Sequence, residues 1–300
     1  MKKKLILQKN QFIMAKVTAP FKIKGTLSGI NFYDVSGQNL AREKGKSGIT
    51  KQQFANSEKF NHIREHGTEF GSCVLKSRVF RLLAKQFYDK AKEVSFAGRV
   101  NKLLFEILEE DTQNKIGERK LENGLQIPEL NEILVNFEGN KTRPLKKVLN
   151  KKTSFDWKQN KINLPTINVE KDINWPEPEA NRIHIQLAIA NWNYIEDTFE
   201  NQYSNEIILE KTDADAPLEF QLNKLQTKDL WIAFIFIGFS NKERRKTKPL
   251  HKKWNTATII EIQNFNQKNK KNYDSMQNPV RVSHLSIPHS LLLPSIVIPS

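Results

Sequence analysis

The hydrophobic rhythm of this chain changes near position 155, from helical spacing to strand alternation, and that change limits the fold more than any motif does. Upstream, Leu75, Val79, Leu82, Leu83 and Phe87 recur at helical intervals, and Val100, Leu104, Ile107 and Leu108 resume the pattern after an interruption at 95–98. This predicts an antiparallel helix pair over 72–110. Phe54, Phe60 and Ile63 are expected to pack on it, with Gly67 and Gly71 allowing close approach or marking helix ends. Pro128 stands where a third helix would begin, with Leu130, Ile133, Leu134 and Phe137 as its apolar stripe. Residues 142–152 fit a short helix or a strand.

Downstream the period is two. Ile183, Ile185, Leu187 and Ile189 alternate with His184, Gln186, Ala188 and Ala190, as a strand with one buried face does. Residues 230–239 are apolar on both faces, which suits a central strand covered on both sides. Further strands are expected at 155–157, 162–169, 206–210, 218–222 and 257–262. Short strands separated by polar turns predict an antiparallel β-sandwich of immunoglobulin or fibronectin type, without the disulfide of antibody domains. Ahead of the helices, Gly25, Gly29 and Gly37 punctuate a small β-hairpin element.

The expected architecture is therefore α+β with two domains: a β-hairpin plus helical module at 14–150 and a β-sandwich at 155–265. Residues 1–13 and 266–300 are expected to be disordered terminal extensions, since beyond Asp274 the chain has no Lys, Asp or Glu and is broken by Pro279, Pro288, Pro294 and Pro299. A readthrough or frame-shifted origin is the expectation for that stretch.

Charge follows the same division. The net charge is +15, and residues 1–150 hold 28 Lys and Arg against 16 Asp and Glu, a surplus of 12. A basic half attracts polyanions, although a lysine-rich surface also serves solubility alone. Two clusters stand out: the helix carrying Lys76, Arg78, Arg81 and Lys85, and the loop carrying Lys242, Arg244, Arg245, Lys246, Lys248, Lys252 and Lys253. Together they are the expected polyanion-binding residues, with Trp231 and Trp254 as stacking candidates for nucleic acid.

Catalytic and metal signatures are weak. His62 and His66 have the spacing of two ligands on one helix face, but Arg64 intervenes and no third ligand follows. His184 is expected at the surface. Glu109, Glu110 and Asp111 cluster at a helix end, where carboxylates are usually solvated. Gly45-Lys46-Ser47 repeats only the last letters of a phosphate-binding loop. Cys73, the single cysteine, excludes an internal disulfide and is expected to be a buried thiol. No catalytic, cofactor or metal site is assigned, and an enzyme is not expected. No segment has the length and apolarity of a membrane-spanning helix, nor does the start carry a secretory signal, so a cytoplasmic location is expected, with export by another route left open.

The run Ala15-Lys16-Val17, Lys24-Gly25-Thr26-Leu27, Ile30-Asn31-Phe32-Tyr33, Gly37 and Ala41-Arg42, followed by Glu69-Phe70-Gly71 and Arg81-Leu82-Leu83, resembles a group of uncharacterised Bacteroidota proteins. The resemblance covers about residues 14–110, with a looser likeness beyond. It implies a helical first part, a β-rich second part and no active site. The function expected is that of a non-catalytic structural or interaction protein, a component of a bacterial or phage-derived assembly that meets a protein partner or itself. The alternative is a basic nucleic-acid-binding protein using 76–92 and 242–253.

Overall fold

The computed structural model describes residues 15–265 except 19, 36, 46–47, 165, 177–179, 214 and 224–228. The expected extensions at 1–13 and 266–300, and Lys46 and Ser47 of the basic glycine loop, lie outside the described residues. The protein is mixed α+β and divides into two compact units, 1–61 and 62–300.

In the first unit, β1 (Ala15–Lys16), β2 (Gly25–Leu27), β3 (Ile30–Val35) and β4 (Gln38–Glu43) form an antiparallel sheet in the order β1-β4-β3-β2. Ser28 and Gly29, both at positive φ, make the two-residue turn between β2 and β3. α1 (Lys51–Asn56) begins with a reciprocal cap: Gln53 N donates to Thr50 Oγ1 and Thr50 N donates to Gln53 Oε1, at 3.1 and 2.9 Å. A 3-10 turn follows at Glu58–Phe60. Asn39 is the single buried side chain among the described residues of this unit.

α2 (Asn61–Phe80) begins at the boundary, and the second unit continues through a turn at 81–84, α3 (Lys85–Ala91) and α4 (Phe96–Glu109). The face that α2 buries is not the apolar stripe expected of it. Glu69, Cys73, Ser77 and Phe80 point inward, whereas Leu75 is 58% exposed and Ile63 and Phe70 are exposed too. Two polar residues are accommodated because each is paired. The Arg119 guanidinium donates to both Glu69 carboxylate oxygens at 3.0 and 2.8 Å, and Ser77 Oγ lies 2.6 Å from Asn101 Oδ1. Gly67 and Gly71 lie inside α2, and an added Cβ on either would meet nothing within 4 Å, so they mark neither an end nor a close approach.

Short helices continue the layer: α5 (Leu121–Gly124), α6 (Leu130–Leu134) and α7 (Leu145–Val148). Then come β5 (Phe155–Asp156), β6 (Lys161–Ile162), β7 (Thr166–Ile167), β8 (Arg182–Asn193), β9 (Thr198–Tyr203), β10 (Ile207–Glu210) and β11 (Ala216–Pro217). β12 (Leu230–Glu243), β13 (Lys246–Pro249) and β14 (Thr256–Asn264) complete the described chain, with a 3-10 turn at Lys252–Trp254.

β8 and β12 pair along their lengths as the centre of one antiparallel sheet. β9 and β10 flank β8, and β13 and β14 flank β12. Alternation sends their side chains to two cores. Ala188, Ala190, Trp192, Ile232, Phe234 and Phe236 pack with Phe80, Leu83, Phe87, Leu104 and Ile107 from the helices. Ile183, Ile185, Leu187, Ile189, Ile235 and Ile237 pack with Leu145, Leu149, Phe155, Leu164, Ile167 and Val169. Two expectations are corrected by this arrangement. The other face carries the two-stranded ribbons β5-β6 and β7-β11 and irregular chain instead of the second sheet of an immunoglobulin- or fibronectin-like sandwich. The seam near 155 does not separate compact units either, because helices and sheet share a core and the division falls at 61/62.

Candidate polyanion-binding cleft

The turn at 81–84 carries the hydrogen-bond ladder of α2 on into α3, and cations from both helices line one cleft of about 520 Å³. Arg78, Arg81, Lys85 and Lys92 line it, and the 3-10 turn at Lys252–Trp254 adds Lys252. That turn is fastened to α3 by Asn255, whose Nδ2 donates to the Lys90 carbonyl at 2.9 Å. Asp89 and Glu93 are the acidic lining residues. Lys85 and Lys92 both bridge Asp89 and hold its carboxyl below the usual carboxylate range. Glu93 bridges Arg99 at 2.8 Å. Arg81 Nε donates to the Ser77 carbonyl at 3.1 Å. Among the described residues Arg78, Arg81 and Lys252 have no ion-pair partner, leaving three cations directed at one space.

The remaining expected residues are elsewhere. Lys76 is an internal cation with a side chain only 14% exposed, bridging Glu122 at 3.0 Å and Asp197 at 3.2 Å and donating to the Tyr194 carbonyl. It is removed from the polyanion set because its charge is already neutralised. Lys242 shares Glu210 with Arg182, at 3.3 and 2.6 Å. Arg244 and Arg245 form the tip of the β12-β13 ribbon, Arg244 in the left-handed region at φ 52°. Lys246 and Lys248 lie across from Glu243 and Asn241, on the ribbon face continuous with Phe239 of the second core. The ribbon cations are exposed, and Lys246 and Lys248 lie on the face opposite the one that packs with the helices. Lys253 Nζ sits 4.7 Å from the Trp254 ring centroid.

Neither stacking candidate lines the cleft. Trp231 is buried against Trp157 and Phe265, and the Trp254 ring is faced by Arg143 as well as Lys253. The aromatic residues of the cleft, Tyr88 and Phe96, are buried in the first core. The Tyr88 hydroxyl has no hydrogen-bond partner among the described residues, and burial pushes its pKa far above the ordinary range.

Other candidates resolve into structural roles. Asp111 is buried, accepting from Gln113 N, Asn114 Nδ2, Lys120 N and Asn123 Nδ2 at 2.8–3.0 Å, and its pKa stands at about 2 because these donors outweigh burial, the largest single influence, which acts upward. Sequence alone left it at a solvated helix end. His184 is half-buried, with Nε2 2.7 Å from Ser240 Oγ, instead of at the surface. Cys73 is fully buried, and burial raises its thiol to about 11. The His62 and His66 rings meet edge to face at 4.3 Å, and among the described residues no three His, Cys, Asp or Glu side chains gather as metal ligands. No helix among the described residues is long and apolar enough to cross a membrane.

A second cleft, of about 1000 Å³, was not foreseen. Arg99, Lys141, Lys146 and Lys152 line it together with Glu138 and Glu261. Burial raises both carboxyls, Glu138 to about 7, even though Glu138 accepts from Thr258 and Thr256 hydroxyls and from Leu145 N. No sequence motif marked Glu138, since its surroundings come from a β-bridge to Thr258, 120 residues away.

No protein-family model, curated protein or solved structure matches this chain.

Proposed function

We propose that this protein is a non-catalytic interaction protein, a component of a bacterial or phage-derived assembly, that joins a second copy of itself or a protein partner through apolar side chains of its first unit. The observation that carries this is the absence of a buried apolar side chain among that unit's described residues. Phe21, Leu27, Ile30 and Val35 are all exposed, with Leu27 at 64%, and Leu27 and Ile30 form a cross-strand pair. A four-stranded sheet gains independent stability from a packed hydrophobic face, so one with outward-facing apolar residues is best explained by a partner that covers them. The likeness to uncharacterised Bacteroidota proteins and a cytoplasmic location belong to the same proposal.

Sedimentation velocity across a concentration series tests it, with an assembly larger than the 34.9 kDa chain expected for the native protein and dissociation expected for Leu27→Asp/Ile30→Asp. A chain that stays monomeric at high concentration while its first unit resists protease overturns it, because the sheet would then stand without a partner.

A second proposal is favoured by a separate observation. Arg78, Arg81 and Lys252, without acidic partners among the described residues, converge on one cleft and support polyanion binding by a basic surface.

A further inference from the structure

We propose that the cleft between α2, α3 and the 3-10 turn at Lys252–Trp254 grips the phosphate backbone of a nucleic-acid duplex without reading its bases. This rests on the polyanion proposal above and adds the ligand and its mode of contact. The groups that face the cleft without ion-pair partners are the cations Arg78, Arg81 and Lys252, which suit phosphate oxygens. Lys85 and Lys92 share the single carboxylate of Asp89, so these three together add one net positive charge beside the unpaired cations.

The aromatic residues decide between duplex and single strand. Single-strand binders add stacking of bases on exposed rings, worth roughly 1–3 kcal/mol per base. Here Tyr88 and Phe96 are buried beneath the cleft, Trp231 is enclosed, and the Trp254 ring is faced by two cations. What is left is contact with phosphates, and a duplex presents these at the higher linear density, one per about 1.7 Å of axis. The exposed apolar residues of the lining, Leu82 and Val94, offer no donor or acceptor for a base edge.

Counterion release makes the proposal quantitative. Three phosphate contacts give a slope of about −2.7 in log K against log salt for a duplex, so affinity falls roughly 40-fold between 50 and 200 mM. Fluorescence anisotropy of the full chain with a labelled random-sequence 20-base-pair DNA duplex, and with one of its strands, reads this directly. Arg78→Ala/Lys252→Ala, at two exposed positions, is expected to leave one contact, a slope of about −0.9 and roughly a 3-fold fall over the same range. Arg78→Lys/Lys252→Arg keeps the charges and is expected to keep the slope, which separates lost charge from lost folding. Arg245→Ala/Lys246→Ala on the ribbon is expected to change it little. A slope lost in the ribbon variant and retained in the cleft variant overturns the cleft. A single strand bound more tightly than the duplex overturns the backbone mode while polyanion binding stands. No binding of either probe at 50 mM salt overturns both proposals.

Discussion

Replacing Glu138 by glutamine removes a charge that the fold holds at a disadvantage. Burial is the dominant cause, lifting the carboxyl from an ordinary value near 4.5 to about 7, while the Thr258 and Thr256 hydroxyls, Leu145 N and the Arg99 charge act in the opposite direction without cancelling it. A carboxyl raised on folding binds its proton more tightly in the native state. Its favourable contribution is therefore complete below pH 4.5, declines as the pH climbs to about 7, and is absent above that. The interval of about 2.5 units corresponds to about 3 kcal/mol at 1.36 kcal/mol per unit. Urea unfolding of the wild type and Glu138→Gln at several values from pH 4.5 to 8 is the assay. Glu261 and Asp229 are raised as well, and the lowered Asp111 acts in more acidic solution, so the difference between the two proteins isolates Glu138. The wild type is expected to lose about 3 kcal/mol relative to the variant across that window. A difference that stays constant with pH refutes the assignment, because it would mean that the carboxyl titrates alike in both states.

Tyr88→Phe deletes a buried hydroxyl with no partner among the described residues and is expected to leave thermal stability unchanged or raise it by about 1 kcal/mol; a marked loss in a thermal melt would mean that the hydroxyl is paired. Gly124→Ala would place a Cβ 1.8 Å from the Ile107 carbonyl oxygen, so α4 and α5 must separate, with a loss of about 3 kcal/mol or more expected in urea unfolding. Asp111→Ala strips four donors of their shared acceptor and is expected to cost about 2–3 kcal/mol by the same measurement, with faster amide exchange at Gln113 and Lys120. The Cys73 thiol is expected to react with a thiol reagent only as fast as the protein unfolds; rapid reaction in native buffer would contradict its burial.

Much of the secondary structure was legible because side-chain period reports directly on buried faces. The strands at 182–193, 230–243 and 256–264 and the helix at 96–109 stand close to where alternation and helical spacing place them. Strands β9 and β13 escaped because Thr198–Tyr203 and Lys246–Pro249 are largely polar edge segments with no apolar alternation to mark them. The phase of α2 was misread for a related reason. An apolar stripe through Leu75 and Leu82 competes with a face containing Glu69 and Ser77, and the second is buried because Arg119 and Asn101 arrive from distant positions to pair with it. Of the proposed polyanion residues, Arg78, Arg81, Lys85 and Lys252 share a cleft because helical spacing is kept through the turn at 81–84 and Asn255 fastens the later turn to α3. That Lys76 is neutralised depends on Glu122 and Asp197, one of them more than a hundred residues away, so no local pattern announces it.

β8 and β12 each contribute to two hydrophobic layers at once, as a wall serves the rooms on either side of it. Neither layer keeps a floor if the chain is cut at the change of rhythm near 155: a fragment ending there has helices with nothing to rest on, and the complementary fragment has a sheet with one surface bare. The second unit is thus expected to melt in one cooperative step, and expressing its halves separately is expected to yield two insoluble products.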